Sequence, residues 1–136
     1  MFEHFEHTAD LGLRVRAASL EELLSEAARG LLAMLMANPE TVRAVQTRTF
    51  ALTLTEPAYL LFDWLNELLY AFESEKLLLA EFEIVIGDQQ LRAICRGEQM
   101  DPARHEMDHE VKAITYHGLR ALQTTNGWEA EVIVDI

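Results

Sequence analysis

The stretch LGLRVRAASLEELLSEAARGLL, residues 11–32, changes its apolar period halfway along. Leu11, Leu13, Val15 and Ala17 alternate with polar or small residues, the period-two signature of a strand with one buried face. From Leu20 the spacing turns helical: Leu20, Leu23, Leu24, Ala27, Ala28, Leu31 and Leu32 share one side of a 3.6-residue helix. Ser19 stands at the changeover with Glu22 three residues on, a capping box that satisfies the amides of a first turn. A strand running into a capped amphipathic helix predicts an α+β protein. The helix must stop before Asn38-Pro39, because the residue preceding a proline avoids the helical region.

The same order recurs downstream. Phe50, Leu52 and Leu54 alternate as a second strand, and Pro57 suits the first position of a second helix, where its missing N–H costs nothing. Leu61, Trp64, Leu65, Leu68, Leu69 and Phe72 form the apolar stripe of that helix. Phe82, Ile84 and Ile86 lie before Gly87-Asp88, and Leu91, Ala93 and Cys95 lie after it, which predicts a hairpin with a type II′ turn. Asn126-Gly127 predicts another hairpin, between 122–125 and the strand 128–134. Residues 111–117 are strand-like. With no linker or repeat, the expectation is a single domain over residues 1–136, two main helices packed on a mostly antiparallel sheet.

Acidic residues outnumber Lys plus Arg by 23 to 11, a formal charge of −12. Such a surface repels phosphate backbones, so stable direct RNA binding is not expected, and a basic protein or a cation suits it better. No apolar run is long enough for a membrane span, and the start Met1-Phe2-Glu3-His4 has no secretory pattern. A lone cysteine, Cys95, fits a reducing cytosol and reads as a packed thiol rather than a nucleophile.

Residues 97–110 hold Glu98, Asp101, His105, Glu106, Asp108, His109 and Glu110 against the single Arg104, and read as an exposed acidic loop. His105-Glu106-Met107-Asp108-His109 spells the zinc-hydrolase string H-E-x-x-H, but Pro102 and the following strand-like run leave no long helix to put both imidazoles on one face. Coincidence is the better account. Asp10 sits at the mouth of one strand and Asp135 at the end of another. If those strands are neighbours, two carboxylates and the carboxylate of Ile136 converge, a hard-oxygen set for Ca²⁺, Mg²⁺ or Mn²⁺. The alternative is an Asx turn at Asp10 and a solvated Asp135. Lys112 reads either as a counter-ion to nearby acids or as a functional cation, and His117 as a satisfied strand-end histidine.

His7-Thr8-Ala9-Asp10, Ser19-Leu20-Glu21-Glu22-Leu23, Trp64-Leu65-Asn66-Glu67-Leu68-Leu69-Tyr70, Gly97-Glu98 with Asp101 and His105, Glu110-Val111-Lys112-Ala113-Ile114-Thr115-Tyr116-His117 and Asp135-Ile136 occur in that order. Taken together they resemble the archease family along nearly the whole chain. The resemblance implies a non-catalytic accessory protein that activates an RtcB-type RNA ligase in tRNA splicing and RNA repair, promoting its GTP-dependent guanylylation and multiple turnover. It also implies a divalent-ion site, described with calcium, at Asp10, Asp135 and Ile136. Lys112 becomes a candidate activity residue, with Glu98, Asp101, His105 and His117 as further candidates. A chaperone-like role with a tRNA methyltransferase is the alternative function, and a metal-dependent phosphoester hydrolase a more distant one.

Overall fold

A computed structural model describes residues 1–7 and 10–136, the side chain of His7 excepted. The first strand, β1 (Phe2–His7), precedes the alternation that opened the sequence reading, which becomes β2 (Asp10–Ala17). The helix α1 (Leu20–Leu35) starts as its capping box requires: Ser19 Oγ accepts the Glu22 amide at 3.2 Å. The reciprocal carboxylate reaches one residue further back, accepting the Ala18 amide at 3.2 Å. Next come β3 (Gln46–Thr53) and α2 (Pro57–Glu75), which opens on its proline as expected. The chain ends with β4 (Leu77–Ile86), β5 (Gln90–Gln99), the two-residue β6 (Ala113–Ile114), β7 (Arg120–Thr124) and β8 (Gly127–Asp135).

The α+β expectation holds, and the sheet is divided in two. Strand β2 lies between β1 and β8, and the far edge of β8 is shared by β6 and β7; β5 lies between β3 and β4 in a separate three-stranded sheet. Every pairing is antiparallel. Both helices pack against each other and bury their apolar sides on these sheets. Trp64 is at the junction, fully buried. Its indole N–H donates to the Leu24 carbonyl of α1 at 2.9 Å. Its ring meets Phe50 of β3 and Phe82 of β4 edge-on at 5.9 and 6.1 Å, an arrangement that aromatic quadrupoles favour.

Both expected hairpins form, with different turns. The β4–β5 connection has three residues, Gly87 to Gln89, closed by the Gly87 amide on the Gln90 carbonyl at 2.9 Å. Gly87 lacks the positive φ that a type II′ turn demands, so that turn type is wrong. In the β7–β8 hairpin the turn residues are Thr125 and Asn126, while Gly127 already belongs to β8. Gly127 is needed there for a different reason: with φ 142° it runs so close to Ala17 that a Cβ would lie 2.3 Å from that carbonyl oxygen. Of the strand-like run 111–117, only Ala113–Ile114 pairs.

Gly97 of β5 offers a stability test. A Cβ there would fall 1.8 Å from the Leu78 carbonyl oxygen, backbone that cannot step aside. Gly97→Ala is therefore expected to lower unfolding free energy by about 3 kcal/mol, the upper end of overpacking costs. Gly87→Ala, whose added carbon meets nothing closer than 3.6 Å, should stay within about 0.5 kcal/mol of wild type, as open surface sites do. Urea unfolding midpoints of the two variants check this.

Candidate functional site

The pairing of β2 with β8 places Asp10 directly opposite Asp135. Leu11, Leu13 and Val15 of β2, and Val132 and Val134 of β8, are buried, so the alternate residues Asp10 and Asp135 project from the outer face of the sheet. Higher on that face the cross-strand partners alternate in sign: Glu3, Arg14, Glu131 and Arg120 form one row. Arg14 donates to Glu3 at 3.1 Å and to Glu131 at 3.4 Å, and Arg120 donates to Glu131 at 3.1 Å. In the row of His7, Asp10 and Asp135 the two carboxylates stand side by side, a like-charge pair that costs stability unless other groups offset it. A hard cation between them would reverse that cost, and carboxylate oxygens are the donors such an ion prefers. Among the described residues no three Asp, Glu, His or Cys side chains gather into a cage. Ile136 follows Asp135 directly in the chain.

Lys112 joins this end of the sheet through its backbone. Its amide donates to the Asp135 carbonyl at 2.7 Å, and Ala113 is the register partner of Asp135. The Lys112 side chain lies in an open depression of about 370 Å³ that it shares with Asn66, Glu67, Tyr70 and Glu73 of α2.

A second group of residues surrounds Glu98, and here the exposed-loop expectation holds for residues 106–110 but fails for Glu98 and His105. Glu98 lies within β5 and is 8% exposed, and His105 is 4% exposed. One carboxylate oxygen accepts from the Arg104 guanidinium; the other accepts the Arg43 amide at 2.7 Å and His105 Nε2 at 3.1 Å. His105 Nδ1 accepts the Asp101 amide at 2.8 Å. A backbone amide can only donate, so Nδ1 carries no proton and the imidazole is the neutral Nε2–H tautomer, donating to Glu98. Burial alone would raise the Glu98 carboxyl. The Arg43 amide, Arg104 and His105 outweigh it and hold the group at about 2, against an ordinary 4.5.

With this geometry in view, the comparison with known proteins is direct. The model of the Archease protein family (MTH1598/TM1083) matches residues 2–136. The chain belongs to the archease family. Protein archease of Methanosarcina mazei is 34% identical over 140 residues, covering 99% of this chain and 95% of that protein. The archease of Pyrococcus abyssi is 36% identical, with 99% and 98% covered. The solution structure of Methanobacterium thermoautotrophicum protein 1598 superposes with a TM-score of 0.84 at 31% identity, covering 99% of this chain and 98% of that one. The crystal structure of a Thermotoga maritima protein described as "an archease, possible chaperone" gives 0.70 at 25% identity, with 100% and 98% covered.

Within this archease-family fold the candidates fall into two groups. Asp10, Asp135, Ile136 and Lys112 meet at one end of the five-stranded sheet. Glu98, Asp101 and His105 form the buried knot behind the end of α1. His117 is exposed on the β6–β7 connection, its amide donating to Thr115 Oγ1 at 3.2 Å. Thr8, Ala9 and the His7 side chain of the N-terminal motif lie outside the described residues. The H-E-x-x-H string is extended. Met107 bridges Met36, and the Asp108 and His109 amides donate to Leu35 and Met34 carbonyls, so no helical face unites His105 with His109. Burial pushes the Cys95 thiol up to about 12, which leaves it an unreactive core group.

Sequence reasoning missed Asn38, read only as part of a helix stop. Its amide donates to the Arg104 carbonyl at 3.0 Å and accepts from the Glu106 amide at 2.8 Å, tying the knot to the end of α1. The lone Arg104 in an acidic stretch was the available signal that some carboxylate there is internally paired.

The knot makes stability acid-sensitive. Because the folded-state value of Glu98 lies below its unfolded one, its contribution is fully present above about pH 4.5 and is lost as pH falls through about 2. Glu98→Gln should be less stable than wild type at pH 7, and the difference should shrink steadily as the pH is lowered from 4.5 toward 2. Denaturant unfolding across that range measures it; a gap independent of pH would contradict the ionic role.

Proposed function

We propose that this chain is a non-catalytic accessory protein that activates an RtcB-type RNA ligase, promoting its GTP-dependent guanylylation and multiple turnover in tRNA splicing and RNA repair. The observation that carries the reading is the register pair Asp10–Asp135 with the Lys112 amide on Asp135. Residues from near both ends of the chain, the ones that family resemblance marks for ion binding and activity, lie at one end of the five-stranded sheet. Membership of the archease family supports the same reading.

In this reading Asp10, Asp135 and the carboxylate of Ile136 hold a divalent cation, Ca²⁺ in the first instance, with Mg²⁺ or Mn²⁺ also suited to the donor set. The ion would supply positive charge to which the phosphates of a nucleotide respond. Lys112, exposed beside α2, presents a second positive group near that end of the sheet. The net charge of −12 steers the molecule toward a basic groove on an RNA-processing enzyme and away from naked RNA, speeding encounter without a tight complex. Among the described residues no helix is long and apolar enough to cross a membrane; the cytosolic setting in this reading rests on the lone cysteine, Cys95, which suits a reducing compartment. A second reading, a chaperone-like modulator of a tRNA methyltransferase, draws on the "possible chaperone" description of the Thermotoga relative.

Asp10→Asn keeps size and hydrogen-bonding capacity while removing the charge a hard cation needs, so ligase activation should be lost. Lys112→Ala should do likewise. Asp10 is half-buried and Lys112 exposed, so each change should cost no more than about 1 kcal/mol of stability. The paired measurement is thermal unfolding together with GMP attachment and multiple-turnover ligation by the cognate ligase. Folded variants that activate like wild type would remove both residues from the mechanism. A wild-type protein that leaves the ligase unchanged but suppresses methyltransferase aggregation would favour the second reading.

Extension of the chain beyond Ile136 should weaken divalent-ion binding, because the extension converts a carboxylate ligand into a neutral amide and such sites are tuned by charge count. Calorimetric Ca²⁺ titrations of extended and unextended protein decide it. Equal affinity would take Ile136 out of the ligand set.

A further inference from the structure

One flank of α2 carries aromatic rings that the core leaves outside. Tyr59 is 51% exposed and Tyr70 67%, and Tyr116, across from the helix on the β6–β7 connection, is 61% exposed. Single exposed apolar groups need no explanation, but these are arranged. The Tyr116 ring lies flat on Phe62 at 4.0 Å, with 16° between planes, and Phe62 is itself packed against the core. Tyr59 stands nearly perpendicular to Tyr116 at 6.1 Å and 73°. The backbone under Tyr116 is equally held. The Thr115 amide and hydroxyl both donate to the Ile133 carbonyl of β8, at 3.1 and 2.8 Å, and Leu119 closes a turn onto the Tyr116 carbonyl at 3.2 Å. The rings thus form a rigid two-walled corner at the edge of an open depression of about 600 Å³ lined by Glu56, Ala58, Tyr59, Tyr116 and Leu119.

Acidic side chains run along this flank, with Lys112 beside Glu67 and Glu73 at its far end. Glu56 stands in the depression, and Asp63, Glu67 and Glu73 follow along α2; none of the four is in an ion pair among the described residues. Other carboxylates, those of Glu3, Glu26, Glu75, Glu83, Glu129 and Glu131, are matched by arginines, while Glu6, Glu21, Glu40, Glu81, Asp88, Glu106 and Glu110 are like these four. What sets Glu56 apart is the aromatic corner beside it. Electron-rich ring faces beside an unmatched carboxylate select a cation with a flat apolar surface. Guanidinium fits best, since it stacks on an aromatic face while its edge donates to a carboxylate. Because the stack with Phe62 already fixes Tyr116, little side-chain freedom is lost on binding, which is how tyrosines become interface anchors.

We infer that the Tyr59–Tyr116 corner, with Glu56, is a docking site for an arginine side chain presented by a protein partner. The inference rests on the reading of this chain as an accessory to another protein, and it gives that partner a chemistry. It places the docking anchor on the α2 flank, apart from Asp10 and Asp135, so that holding the partner and acting on it are done by different residues.

The experiment uses the whole ¹⁵N-labelled chain, titrated with the peptide acetyl-Gly-Arg-Gly-Arg-Gly-amide and with its citrulline counterpart at about 150 mM salt, where long-range charge effects are screened. Saturable shifts at Tyr59, Tyr116 and Gly118 with the arginine peptide, and none with citrulline, are expected. Tyr116→Ala and Glu56→Gln should each weaken binding about two- to fivefold, the scale of an exposed cation–π or ionic contact. Tyr116→Phe should keep the affinity and so separate recognition from folding. Shifts confined to residues 106–110, an equal response to citrulline, or no saturable response overturns the inference, as does a chain that self-associates through this corner and loses that property in Tyr116→Ala. In ligation assays Tyr116→Ala should raise the concentration for half-maximal activation about two- to fivefold with the plateau unchanged, whereas Asp10→Asn lowers the plateau. An unchanged half-maximal concentration refutes the docking site and leaves the ligase reading standing. If wild-type protein activates no ligase, that reading falls and the peptide titration still judges the corner.

Discussion

The antiparallel pairing of β2 with β8 is the constraint on which the rest of the molecule depends. It runs unbroken from Asp10–Asp135 to Ala17–Trp128 and satisfies one edge of β2 along its whole length, while β1 satisfies the other. On the inner side it aligns Leu11, Leu13 and Val15 with Val134, Val132 and Ala130, the apolar floor that α1 covers. On the outer side the same register sets Arg14 against Glu131 and Asp10 against Asp135. A slip of one residue would turn Leu13 outward and Asp10 inward, so the hydrophobic core excludes any other register. The carboxylate pair is therefore aligned by packing forces that are independent of the ion binding proposed for it.

The second sheet is fastened by different means. Trp64 joins α2 to α1 through one indole hydrogen bond and to β3 and β4 through two edge-on ring contacts, so one buried residue touches both helices and the three-stranded sheet. Behind it, Glu98 does what a buried carboxylate must: its oxygens take three donors, one of them a backbone amide. Such a knot specifies one path for the segment between β5 and β6 and loses that specificity if its charge is neutralised.

The parts of the fold that were legible in sequence are those governed by period. The strand–helix switch at Ser19, the proline at the head of α2 and the two hairpins were all readable because apolar spacing and capping act within a few residues. The turns were less legible. Gly87 and Gly127 looked like turn glycines, yet the first takes no positive φ and the second answers to the Ala17 carbonyl of a distant strand. Glu98 and His105 looked solvated because burial of polar side chains depends on partners such as Asn38 and the Arg43 amide, which only the folded chain brings near. At the site, the residue types at Asp10 and Asp135 alone favoured two unrelated surface acids over a cation site, and only the family resemblance turned the reading toward the cation. The strand order that makes them neighbours is tertiary information.

That strand order also has a history in time. During translation β2 emerges second and β8 after every other element, so β2 must wait with one edge unsatisfied while the intervening helices and the three-stranded sheet are made. Pairing between such remote segments is slow to form, and an idle strand edge is a template for the wrong partner. The nascent β2 carries its own protection: Asp10, Arg14 and Arg16 line the face opposite its apolar side chains, charges that discourage pairing with another nascent chain. The residues that later face β8 across the finished sheet are, until it arrives, the guards of an open edge.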